Sequence, residues 1–459
     1  MITMRPSSRP AGLTLISTLL AAGACLHAAV APDTLTLTDI LVEKGIISPE
    51  EASRIQTPAE QGLARLLVRK GILSAEEVRH LQETPGDTTA FARQKPEPPK
   101  PSQPPTEATA GQVPPAPPSV TSQFALSLYG YVKLDAIHDS QRTEGGEVGF
   151  FVRPESPEGS DDALHITAKQ TRLGLRVAAP TVSGWESSAR AEIDFYGSAS
   201  ENGSSTRMRL AYLTLDNGSW RILAGQAYDA WNMVLPRLAN YSAGGKQGTL
   251  WSRRPQVRAT RIWELDNGAV LAGTLGAARH IGLSDVDALG DSLDGGEDSA
   301  LPLLQWNLQY TSDLPSGEAR FGIGGHYGKE EVERLFPGAS DDFVTSLLMV
   351  SADLPLTDFL SLTGAVWTGE NLSNYQGGVG QGINLARNTE IAASGGWVQM
   401  HWNTSPDLQF NFGYGIDNPD DGDISPGGRL ANTSWTANVF WTFLPSTTWI
   451  LEYQYLDTE

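Results

Sequence analysis

The chain has 459 residues and a formal net charge of -20, which disfavours nucleic acid, whose phosphates an acidic protein repels. A single cysteine, Cys25, leaves no internal disulfide, and beyond the N-terminus no apolar run reaches the ~18 residues a membrane helix needs. Strands are still a way to cross a bilayer, because a barrel strand takes only ~9–11 alternating residues, and 47 Gly, 12 Trp and 12 Tyr suit such a β-protein.

Residues 1–31 read as a secretory signal, with Arg5 and Arg9 ahead of an apolar core at 13–24. Cleavage after Ala24 or after Ala31 fits, and Ala22-Gly23-Ala24-Cys25 also faintly resembles a lipoprotein box without its usual Leu. Residues 32–83 hold an internal duplication in which 40–52 aligns with 66–78. In each copy a helix is expected to end at a glycine, Gly45 or Gly71, free to take the left-handed conformation. Ser48 or Ser74 then caps a second helix, with Glu51 or Glu77 closing a capping box. The expectation is a small α-helical module of two helix-turn-helix units in the periplasm. Residues 84–122 follow as a Pro-rich linker, stiffened by polyproline geometry at 96–101 and 114–118.

From residue 123 to 459 the hydrophobic period switches to two. Phe124, Leu126, Leu128, Val132 and Leu134 share one face; Ser127, Tyr129, Tyr131, Lys133 and Asp135 share the other. The pattern returns at 185–195 and at 434–443. The segment 215–265 shows the layout: two Leu-Asp-Asn-Gly turns bracket strands at 220–228 and 256–263, with a long insert rich in Arg, Lys and Trp between them. Asn-Gly would supply the two positive-φ residues of a type I′ hairpin, and the insert is expected to fold inward and narrow a pore. Along the rest of the chain short links alternate with long ones, which is the layout of an outer-membrane barrel. Trp185, Trp220, Trp263, Phe359, Trp441, Phe443 and Trp449 sit beside the short turns, where a membrane interface favours amphipathic rings. About 15 strands can be counted. Since single-chain bacterial barrels have an even number, the expected fold is all-β, a transmembrane antiparallel β-barrel of about 16 strands whose last strand is missing after Glu459.

No catalytic motif emerges, so neither an enzyme nor a cofactor is expected. His165, His326 and His401 fall on strands but in no metal-ligand spacing. The asymmetry is one of charge. Lys169, Arg172, Arg176, Arg190, Arg207, Arg209, Arg221 and Arg258 are expected to face the lumen, joined by Arg253 and Arg254 at the end of the insert. Arginine stays protonated and grips carboxylates with two parallel bonds, so a ring of them favours anions. The competing role is salt-bridging to wall carboxylates such as Glu186, Glu192 and Asp194. Acidic residues concentrate instead in the long loops, among them Asp294, Glu297, Asp298, Asp417, Asp420, Asp421 and Asp423. There they are solvated or bridge lipopolysaccharide through calcium.

These segments give the chain a family resemblance. Residues 128–135, 169–174, 189–195 and 224–226, together with the insert up to 253–258, resemble the DcaP-like family of trimeric outer-membrane porins. The resemblance runs over about 125–459. It implies a 16-stranded homotrimeric porin that passes small anionic solutes such as dicarboxylates. By the match, Arg172, Arg190, Arg207, Arg209 and Arg258 are expected to touch the anion, with Arg253, Arg254 and Lys169 beside them. The family's N-terminal extension is described as a coiled coil, and the duplicated helix pair here departs from it. A second reading makes the barrel an anchor, with the helical module binding peptidoglycan or a periplasmic partner.

Overall fold

The computed structural model describes residues 123–155, 161–198, 203–231, 233–283, 292–333 and 342–459. The signal segment, helical module and linker expected over 1–122 lie outside these residues.

Strands β1 (Ala125–Tyr131) and β2 (Asp135–Asp139) are followed by β3 (Ala163–Thr167) and β4 (Arg172–Ala178). Long loops join the next pairs, β5 (Glu186–Asp194) to β6 (Arg207–Asp216), β7 (Trp220–Tyr228) to β8 (Arg253–Glu264), and β9 (Val270–Ala278) to β10 (Leu303–Leu314), while short links join β4 to β5, β6 to β7 and β8 to β9. The strands continue through β11 (Gly317–Glu331), β12 (Asp342–Thr357) and β13 (Leu360–Glu370) to a two-stranded outlier, β14 (Ile383–Asn384) with β15 (Thr389–Glu390). The last four are β16 (Ala392–Ser405), β17 (Leu408–Pro419), β18 (Asn432–Leu444) and β19 (Thr447–Thr458). Among the described residues fifteen strands form one antiparallel sheet in chain order, with β1 and β19 at its edges, while β2 pairs with β3 alone. Among the described residues no helix is long and apolar enough to cross a membrane.

Alternation decides which way each side chain points. Leu128 is 85% exposed, and Leu173, Leu213, Val257, Leu275, Val350 and Val366 are also exposed on the same outward face. Their neighbours in the strands turn inward: Gln305, His326, Thr345, Gln399, His401, Asn411 and Asn438 are all buried. An aqueous globular protein would do the opposite, placing its large aliphatic residues inside. The expected row of rings at the short-turn end is present, with Trp220, Trp263, Phe359, Trp441, Phe443 and Trp449 exposed.

Two local expectations need correcting. The Asn-Gly turns are not type I′, because only the glycines, Gly218 at φ 82 and Gly268 at φ 80, take positive φ. Asn217 stays at ordinary φ and uses its side chain: its Oδ1 accepts the backbone N–H of Ser219 at 3.1 Å and of Trp220 at 2.8 Å. A three-residue link with glycine in the left-handed region results. The first strand is also broken, since residues 132–134 leave the ladder. There the backbone N–H of Lys133 donates to the Thr171 hydroxyl at 3.1 Å in place of a backbone carbonyl. The Lys133 ammonium reaches inward to Asp135 at 2.9 Å and to the Ala239 carbonyl at 2.6 Å.

The insert at 229–252 is not an outer flap. It is fastened to strands far along the sheet. Gln305 on β10 donates to Asp229 at 2.5 Å, and Gln399 on β16 accepts the Arg237 N–H at 2.7 Å. Asn438 on β18 donates to the Arg237 carbonyl at 2.9 Å. Glu452 on β19 accepts the N–H groups of Ala239 and Asn240 at 2.7 and 3.0 Å. The sheet must therefore curl around this loop, with its inward face concave. Trp231 and Leu250 from the insert bury themselves among Leu303, Leu347, Met349, Trp367, Leu372, Tyr375 and Trp397, giving an apolar core inside the curl. Two acidic residues assigned to solvated loops are buried instead: Asp417 lies on β17, fully buried, and accepts the Val379 N–H at 3.0 Å, and Asp294 accepts the N–H groups of Gly282 and Gly296 at 2.8 and 3.0 Å.

Candidate functional site

The inward face of β1 and β4–β8 carries a wall of guanidinium groups and tyrosines. Register builds it in tiers: Ser127, Arg176, Arg190 and Tyr212 face one another across β1, β4, β5 and β6, and Tyr131 opposes Arg172 nearer the long-loop end. Gly174 sits between these tiers for a steric reason. A Cβ there would stand 2.2 Å from the Tyr129 ring, so the missing side chain is what lets that ring lie flat on the wall. The Arg176 guanidinium stacks over Tyr129 at 4.4 Å and that of Arg190 at 5.0 Å. Arg172 lies over Tyr131 at 5.4 Å. Cations placed over aromatic faces in this way are held without being neutralised.

The centre of the wall depends on a bulge. Glu192 opposes Leu210 and Ile193 opposes Met208, leaving Arg209 as the extra residue on β6. A bulge re-aims a side chain, and here it turns Arg209 inward beside Arg207. Arg209 is 2% exposed and donates to Glu192 at 2.8 Å, to Asp194 at 2.9 Å and to the Tyr228 hydroxyl at 3.2 Å. Arg207 grips both oxygens of Asp194, at 3.0 and 2.7 Å, and also donates to the Tyr241 hydroxyl. Arg190 donates to Tyr129 at 2.6 Å and to Glu192 at 2.9 Å. From the other side Arg253 reaches the Tyr241 hydroxyl at 3.2 Å. Tyr241 is the contribution of the insert: it stacks on Tyr196, with centroids 4.1 Å apart, and brings three arginines to one phenol.

The predicted cations thus divide by their counter-charges. Arg190, Arg207 and Arg209 share two carboxylates, Glu192 and Asp194. Lys169 lies in the turn between β3 and β4, buried and paired with Glu147 at 2.7 Å. Arg254 does not join the wall. It is fully buried, 3.0 Å from Asp229 though not aligned as a hydrogen bond, and its guanidinium stacks on Tyr375 at 4.5 Å. Burial raises the Asp229 carboxyl against the pull of Arg254, and it pushes the Tyr375 phenol up to about 12. This knot fastens the two ends of the insert. Arg221 is spent at the short-turn end on Asp216, 2.6 Å away.

Arg172, Arg176, Arg253 and Arg258 have no ion-pair partner among the described residues. Among the described residues Arg258 donates to the Tyr228 carbonyl at 3.0 Å and to Gln256 at 3.3 Å. Nε of Arg172 and Nη1 of Arg253 are buried with no hydrogen-bond partner among the described residues. Donors without acceptors in a low-dielectric site favour an incoming oxyanion. Elsewhere in the interior, burial holds the Lys246 ammonium below its usual range, and that residue packs over Phe150 at 4.6 Å. Among the described residues no group of three or more His, Cys, Asp or Glu is placed to hold a metal.

Sequence reasoning missed the phenols. Tyr129, Tyr228 and Tyr241 organise the arginines, yet a tyrosine next to a polar run reads equally as an interface ring. The pins Gln399, Asn438 and Glu452 were missed as well, because single inward polar residues on a strand carry no spacing signal.

A model of the DcaP outer membrane protein family matches residues 113–279, a span that includes β1 through β9, the insert and the whole guanidinium wall. Among solved structures, the outer membrane channel DcaP of Acinetobacter baumannii is 23% identical with a TM-score of 0.58, covering 74% of this chain and 93% of that one. The anion-selective porin from Comamonas acidovorans is 11% identical with a TM-score of 0.50, covering 73% of this chain and 90% of that one. At these identities the likeness concerns the fold. A search of curated proteins returns no match.

Proposed function

We infer, from a chain that resembles the DcaP family over the segment carrying its guanidinium wall, that the protein is an outer-membrane porin preferring small anionic solutes. Dicarboxylates are the solute class the wall suits best, since two carboxylates can engage two unpaired guanidiniums at once. The reading takes the sheet as the greater part of a closed barrel of about sixteen strands, assembled as a homotrimer, with residues 1–31 as the export signal. The N-terminal module then sits in the periplasm, and lipopolysaccharide surrounds the long loops.

One observation carries the preference for anions. Arg172, Arg253 and Arg258 present positive charge that no carboxylate of the described chain cancels, whereas Glu192 and Asp194 are consumed by Arg190, Arg207 and Arg209. The paired arginines stiffen the wall and the unpaired ones set its potential. The same cations in a water-filled lumen raise local anion concentration and repel cations. The test is the reversal potential of single channels in planar bilayers under a potassium chloride gradient, repeated with potassium succinate. Anion-selective current supports the reading; cation-selective current, or none, overturns it.

A further inference from the structure

On the outward face of the sheet, at the short-turn end, one arginine stands among tryptophans. Arg261 on β8 points the same way as the exposed Val257 and Trp263 and opposes the exposed Trp220 across the ladder with β7. Its guanidinium lies 5.4 Å from the Trp220 ring centroid and 5.9 Å from that of Trp263. On its other side it opposes Gly273 of β9. A Cβ at Gly273 would stand 3.2 Å from the Trp263 indole, so the missing side chain is what lets that ring lie over the backbone of β9. Nη1 donates to the Ser219 carbonyl at 3.2 Å, and no carboxylate among the described residues pairs with this side chain.

A cation on a lipid-facing wall is costly at the bilayer midplane and cheap at its rim. Arg261 lies in the register of the aromatic row, where phospholipid headgroups run. Two indoles lie within cation–π range of the guanidinium, and among the described residues only the Ser219 carbonyl accepts from it. A fork of N–H donors matches two oxygens of a phosphate.

We propose that Arg261, held between Trp220 and Trp263, forms a seat for the phosphodiester group of a membrane phospholipid. The seat rests on the membrane reading given above, but it lies on the face opposite the conducting wall. A bound lipid would be held by the phosphate, with its acyl chains along Val257 and Leu275, both exposed on the same face.

The test is native mass spectrometry of the full chain in detergent with dioleoylphosphatidylglycerol. Wild type is expected to retain a lipid under collisional activation, and R261Q to lose about five-fold of that population, in line with the contribution of one basic residue at an anionic surface. R261K keeps the charge but not the fork, and should fall between them. R221Q, whose side chain is already paired with Asp216, should match wild type. Equal retention by wild type and R261Q overturns the seat, and full displacement of the lipid by millimolar inorganic phosphate shows a free-anion site instead. Bilayer conductance separates the two readings. A protein that conducts, with R261Q conducting alike, keeps the porin reading whatever the lipid result; a protein that never conducts removes the porin reading without reference to Arg261.

Discussion

Replacing Arg253 by Gln removes a wall charge that no carboxylate balances, while keeping a side chain of similar reach toward the Tyr241 hydroxyl. An anion passing about 6 Å from the guanidinium gains about 0.7 kcal/mol at the dielectric of water and about 2.8 kcal/mol at an effective value of 20. Even the lower figure is about a threefold change in local anion concentration, and therefore in the anion-to-cation permeability ratio. The effect must also follow ionic strength: at 0.1 M the Debye length of about 10 Å lets the charge act across the lumen, and at 1 M about 3 Å shuts it off. Reversal potentials for wild type and R253Q, measured at both salt levels, check this. An unchanged ratio at 0.1 M, with conductance intact, would refute the division into structural and selective arginines. So would an equal loss for R253Q and for a variant at the exposed, paired Arg221.

Asp194→Asn should destabilise the wall and, by leaving Arg207 without a carboxylate, raise the anion-to-cation permeability ratio of whatever remains folded. Asp194 is fully buried and holds Arg207 and Arg209, so its loss leaves two guanidiniums without their shared counter-charge. Breaking a buried pair costs about 3–5 kcal/mol, to be read as a lower thermal or denaturant midpoint. Gly174→Ala should displace the Tyr129 ring and cost about 1–3 kcal/mol as overpacking, with a double variant that also shortens Tyr129 to Ser recovering part of the loss. Asn438→Ala removes donors to the Arg237 carbonyl and to Glu452, and so loosens the insert. Single-channel records should then show more closures at unchanged selectivity. His280, outside the strands, is held below its usual range chiefly by burial. The folded state then binds fewer protons than the unfolded one between its depressed value and ~6.5, so stability falls as pH drops through ~6.5. The thermal midpoint should decline from pH 7.5 to 5.5, and His280→Gln should flatten that slope.

The period-two pattern and the alternation of short and long links made the antiparallel sheet legible in the sequence, because each is a local consequence of pleat and turn. The cations of the wall were legible as residues but not by their partners. That Arg209 and Arg254 are both consumed, one by Glu192 and Asp194 and the other beside Asp229, follows from a bulge on β6 and from an inward-folded loop. Neither leaves a trace at the level of spacing. Trp231 shows the same limit from the apolar side. In sequence it is one ring in a charged loop, and in the fold it is completely buried beside the rings of His326 and Tyr375, which come from distant parts of the chain.

That buried cluster has a consequence for whatever passes through. Tryptophan and leucine of this cluster fill the interior beneath β10–β16 with apolar surface, so on the porin reading a solute is left the side lined by the arginines. A charged molecule would skirt one bank of the protein from mouth to mouth, and breadth, more than length, would decide what is turned away.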